Sequence, residues 1–146
     1  MRAVYLASVW LHVLAAMTWV GGMVLFVVAV MPYFRARPEA EKSAFFDWFG
    51  PRFRMTSWVC FAVLGMTGTF NLWARGVRVE DLLRIEWWTT SFGRAFAAKL
   101  VLVVIALAIS VSHERTTPAR ARLLGRALLF VALAIVGAAV ALVRAL

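Results

Sequence analysis

The chemistry open to this chain is set by a short stock of residues. Two histidines, His12 and His113, one cysteine, Cys60, and six methionines are its nitrogen and sulfur ligands for a soft or borderline metal. A single cysteine excludes an intrachain disulfide and any Cys-x-x-Cys motif. His12 and Lys99 lie inside long apolar runs, where an ionisable side chain costs on the order of 2.5–3.5 kcal/mol and calls for a partner or a role. If each run is a helix crossing a membrane, His12 lies roughly 10 Å, Lys99 roughly 9 Å and Met66 roughly 14 Å below one and the same surface. One imidazole, one ammonium and one thioether in a common layer suit a metal or haem ligand beside a partner for an anionic group.

Each of these residues also has a plainer reading. His12 as a neutral imidazole would bond Ser8 one turn earlier, or a facing carbonyl. Lys99 would extend its stem to the headgroups, and Met66 would pack. His113 falls fourteen residues beyond Lys99, about 21 Å along the axis. It therefore cannot share one iron with His12 in a single subunit, and beside Glu114 and Arg115 it suits a helix C-terminus. Trp19, Gly22 and Met23 follow His12 on its own helical stripe, and Gly21-Gly22 would let a backbone or a flat ligand come close. Met17, Met23, Met31, Met55 and Met66 form no Met-x-x-x-Met ladder, so no thioether conduit is evident. No acidic residue lies inside an apolar run, which argues against a carboxylate proton relay.

The elements that must carry these residues follow from composition. Hydrophobic residues are 64% and charged residues 16% of 146, with a mean hydropathy of +0.85. A soluble domain of this size keeps too much surface to hide such a share. The surplus of Lys and Arg, 16 against 7 acids, belongs with loops and anionic headgroups rather than with nucleic acid. Four runs, residues 4–31, 55–73, 92–111 and 123–143, are each long enough to span a core of about 30 Å. The first is too long for a signal peptide and is expected to be retained. Lipid leaves the backbone no outside partner, so continuous apolar runs must be helices. A single all-α membrane domain over residues 1–146 is expected, an antiparallel four-helix bundle.

The connecting loops add two expectations. Residues 38–49 predict a short surface helix begun by Pro38 and ended by Gly50-Pro51, with Phe45, Phe46, Trp48 and Phe49 in the headgroup layer. Residues 77–88 predict a second one, anchored by Trp87 and Trp88. The loops after the first and third runs carry Arg35, Arg37, Lys42, Arg52, Arg54, Arg115, Arg120, Arg122 and Arg126. The other side carries Arg2, Arg75, Arg78, Arg84, Arg94 and Arg144. Nine against six favours both termini outside.

His12-Val-Leu-Ala-Ala-Met-Thr-Trp19-Val-Gly21-Gly22 resembles the first helix of the bacterial copper-resistance D family. Arg52-Phe53 with Leu64-Gly-Met-Thr67-Gly68 and Asn71 resembles its second, and Phe92-Gly93-Arg94 with Lys99-Leu100 the start of its third. The resemblance covers roughly residues 8–115. It implies an inner-membrane protein connected with copper transport or tolerance and not an enzyme, beside a periplasmic copper-binding partner. His12, Met66 and Met23, with His113 as a further candidate, would then be the copper ligands. The chain is more distantly similar to the bacterial membrane protoporphyrinogen oxidase family, through its seven-residue His12-to-Trp19 step and Lys99. That likeness implies haem b, with His12 as axial ligand, Lys99 beside a porphyrin carboxylate, and Met66, Trp19 and Gly22 around the group. The segment after Gly22 and the interval from Lys99 to His113 depart from that second family. A homodimer through Gly21-Gly22 or Ala132, Ala134 and Gly137 stays open.

Overall fold

The computed structural model describes the backbone of residues 2–113 and 118–144, and the side chains of 2–112 and 123–144. Every element among them is helical. Four helices are long and apolar enough to cross a membrane, spanning Arg2–Phe34, Glu39–Ala74, Ser91–Ser112 and Leu123–Arg144. The all-α, multi-pass expectation therefore holds, and the elements fall into two compact units, Met1–Val77 and Arg78–Leu146.

The first unit is a hairpin. Its first arm is α1 (Arg2–Leu25), a wide π turn (Phe26–Val30) and α2 (Met31–Phe34). Pro32, which has no N–H to donate, sits at the start of α2 and does not end the arm, since the wide turn just before it takes up the mismatch. The second arm is α3, unbroken from Glu39 to Ala74. Contacts run in opposite directions along the two arms, from Tyr5 with Arg75 at one end to Phe34 with Phe45 at the other.

Two expectations are corrected here. Gly50-Pro51 does not end a separate surface helix, because α3 passes straight through it. Pro51 leaves the Asp47 carbonyl without its helical N–H, and at the next position the Arg52 guanidinium donates to the Trp48 carbonyl at 2.9 Å and lies 4.5 Å over the Trp48 ring. Tertiary packing then locks the helix. Phe45, Phe49 and Phe53 stack at successive turns, and Phe26 and Phe34 from the first arm pack onto Phe49 and Phe45. At 36 residues α3 is about 54 Å long, so its charged first turns extend beyond a core of about 30 Å. The phenylalanines of this stretch form an intramolecular cluster, and Trp48 is the most exposed of its aromatics. The second correction is smaller: residues 77–88 hold two short helices, α4 (Val79–Leu82) and α5 (Ile85–Thr89), rather than one.

The far end of α3 closes in a glycine motif. Gly76 takes a φ of 87°, open to glycine at little cost. Its N–H bonds the Trp73 carbonyl, and the Val77 N–H bonds Leu72, which satisfies the last carbonyls and turns the chain out of the helix.

The second unit pairs α6 (Ser91–His113) with α7 (Pro118–Arg144). Ala106 and Ala132 are fully buried, one from each arm, so small residues make the seam. Thr90 caps α6, its hydroxyl accepting the Gly93 N–H at 2.9 Å. A β-carbon at Gly93 would collide with the Trp87 carbonyl, which fixes glycine in this tight entry. Trp87, Trp88, Phe92 and Phe96 cluster around it.

Candidate functional site

His12 occupies the stripe of α1 that faces α3, with Ser8, Ala15, Trp19 and Met23 buried above and below it. Helical spacing of three and four residues puts these five on one face. On α3 the matching position is Thr67-Gly68. The His12 Nδ1 lies 2.8 Å from the Thr67 hydroxyl, and that hydroxyl lies 2.6 Å from the Val63 carbonyl. Thr67 has one proton to give, and a carbonyl can only accept. The proton therefore goes to Val63, and Nδ1–H donates to Thr67. Nε2 is then the nitrogen that carries the lone pair of the neutral ring. Gly68 makes room for this: a β-carbon there would stand 3.4 Å from the ring's Cε1. Of the partners expected from sequence, Ser8 does not bond the imidazole, and the facing helix supplies the Thr67 hydroxyl.

The other candidates distribute as follows. Trp19 is 3% exposed and packs 4.7 Å from the Phe61 ring, closing the hairpin below His12. Gly22 accommodates Phe53, whose Cε2 would be 2.9 Å from a β-carbon at that position. Both residues thus pack α1 on α3. Met23 is buried, but eleven residues from His12 it is about 16 Å along the axis. Met66 is 75% exposed, on a different face of α3 from Thr67. His12, Met66 and Met23 are consequently not gathered around one point. Lys99 is half-buried on α6, in the second unit. The side chain of His113 lies outside the described residues, as do those of Arg115, Arg120 and Arg122. Among the described residues, no three His, Cys, Asp or Glu side chains form a metal-binding group.

Sequence reasoning passed over Thr67 and Asn71 as site residues, although both stand in the quoted motif. Asn71 follows Thr67 by one turn, and its Oδ1 is buried. A polar residue every fourth position within an apolar helix was the available signal. No family model, no curated protein and no solved structure matches this chain.

Proposed function

We propose that this chain is a membrane protein that holds a haem b through His12, in electron transfer or porphyrin oxidation. The observation that supports this is the 2.8 Å contact of Nδ1 with the Thr67 hydroxyl, whose own proton goes to Val63; the tautomer this implies makes Nε2 the basic nitrogen. Ligating histidines are held in this way by a partner on the other ring nitrogen, which fixes both tautomer and orientation. A porphyrin supplies the equatorial nitrogens itself, so one axial imidazole is what the protein must add. Haem would bring the redox chemistry; His12 would bind it, and Thr67 would orient His12.

Copper at His12 is the competing reading, and it needs soft co-ligands. Met66 is largely exposed and Met23 is about 16 Å further down the helix, so His12 would have to work without them. A bacterial inner-membrane location with both termini outside belongs to either reading, and a periplasmic copper-binding partner belongs to the second.

An absorption spectrum of the purified full chain separates them. The expected result is a Soret band that His12→Ala abolishes. Protein that stays colourless after haem supplementation overturns the haem assignment. Equimolar copper retained by such protein and lost in His12→Ala would install the copper reading instead.

A further inference from the structure

Two polar atoms of the first unit stand out by what they lack. The Ser8 hydroxyl and the Asn71 Oδ1 are buried and meet no hydrogen-bond partner among the described residues. Ser8 is only 9% exposed. Helical hydroxyls in this chain usually satisfy themselves: Thr18, Thr56, Ser57, Thr67, Thr69 and Ser110 each donate to the carbonyl four residues back. Ser8 does not. Its proton is left for something else, and Asn71 offers an acceptor oxygen that no described residue addresses.

The register of the hairpin places the two at one level. His12 meets Thr67, and Ser8 lies four residues before His12 while Asn71 lies four after Thr67. Because the arms run in opposite directions, both steps lead toward the same end. A further turn along, Tyr5 and Arg75 meet, the guanidinium Nε donating to the phenol oxygen at 3.2 Å. Three polar layers therefore follow one another down the seam: Tyr5 with Arg75, Ser8 with Asn71, His12 with Thr67. Below His12 the seam changes character, with Ala15, Trp19 against Phe61, Met23 and Cys60. The ladder opens at the Tyr5–Arg75 end and stops at His12.

We propose that Ser8 and Asn71 hold a water molecule, and that these three layers form a hydrated path reaching His12 from the Tyr5–Arg75 end of the hairpin alone. Ser8 Oγ–H donates to the water, and the water donates to Asn71 Oδ1, so both buried atoms are satisfied by one molecule. Successive layers lie about 6 Å apart along the helix axis, close to two hydrogen bonds of about 2.8 Å in series, so a water at the Ser8–Asn71 level can link the layers on either side. The path brings water, and with it protons, to the level of His12, whichever group Nε2 holds.

Cysteine accessibility in sealed vesicles tests this, with the full chain carrying Cys60→Ser. A thiol in contact with water reacts as thiolate, whereas one in apolar surroundings is inert, so Ser8→Cys and Asn71→Cys should react with a charged, membrane-impermeant thiosulfonate on the order of tenfold or more faster than Met23→Cys. They should do so from one face of the vesicle only. Equal rates at the three positions, or labelling of Ser8→Cys from both faces, would overturn the proposal. The unsubstituted chain supplies an independent measurement, because magnetisation from water in bilayer NMR should reach the Asn71 side chain well before the Met23 methyl. Simultaneous arrival would overturn it equally. Neither readout depends on haem, so its outcome stands apart from the absorption spectrum.

Discussion

The two helical hairpins of this protein solve the same problem with different side chains. In the first, α1 and α3 meet through Trp19, Met23, Cys60 and a file of polar pairs, and glycines at 22 and 68 admit the Phe53 ring and the His12 imidazole. In the second, α6 and α7 meet through Ala106 and Ala132, both fully buried. Lipid tails are as apolar as the helices, so association in either hairpin depends on packing and hydrogen bonds rather than on escape from water. A seam of small residues obtains this from close contact of the two backbones. A seam of rings and glycines leaves pockets of side-chain size, and the first hairpin fills one with an imidazole. The difference is one of packing: among the described residues, the first seam is built of large and polar side chains and the second of small ones.

The contrast between the seams is tested most severely at Trp19. Replacing it with alanine removes the ring that meets Phe61 and leaves a hole in the seam, and large-to-small core changes of this kind cost about 3–5 kcal/mol. Trp19→Ala should therefore lower the thermal midpoint in detergent further than overpacking the second seam or removing the Thr67 hydroxyl. A midpoint within a degree or two of the parent would mean that the first seam does not rest on its rings. Ala106→Leu probes the second seam from the opposite side, since it adds volume where none is free. Overpacking costs typically about 1–3 kcal/mol, and the loss should be read in the same thermal assay. The matching change at an exposed alanine, Ala134→Leu, should be near neutral. Equal effects from the two would refute the small-residue seam.

Much of the first hairpin was legible from sequence because its signals are local. The apolar runs gave four spans, and the stripe of Ser8, His12, Trp19 and Met23 is the face that α1 buries. The misreading at Gly50-Pro51 has a tertiary cause: Phe26 and Phe34 pack against the extension of α3 from elsewhere in the chain. Local propensity carries no trace of it. The choice of Thr67 as the partner of His12 is of the same kind. Sequence offered Ser8, at the right helical step, but the imidazole turns to the facing helix, where Gly68 leaves room. Depth counting set His12 apart from His113 but was not carried through to Met23, which was grouped with His12 although eleven residues put it about 16 Å further along the same helix. It was blind to the face of a helix, and so it grouped the exposed Met66 with His12.

The smallest expected change in stability is the most informative about the site. Thr67→Val keeps the branched shape of the side chain and removes the oxygen that accepts from Nδ1. Hydrogen bonds between membrane helices average about 0.6 kcal/mol and reach about 1.7, so the hairpin should persist with a modest loss. The imidazole responds more strongly, because its donor nitrogen loses its acceptor and the Nδ1–H form loses its reason to dominate. In a bilayer sample, ¹⁵N NMR of His12 should show one predominant tautomer in the parent chain and a mixture in Thr67→Val. If Nε2 is the ligating atom, affinity for the bound group should fall by about 10–100-fold, as when the outer partner of a ligating histidine is removed. Thr67→Ser, which restores the oxygen, should recover both the tautomer and the affinity. An unchanged tautomer in Thr67→Val would show that His12 is oriented by something other than the facing hydroxyl, and the proposed ligation through Nε2 would lose its best support.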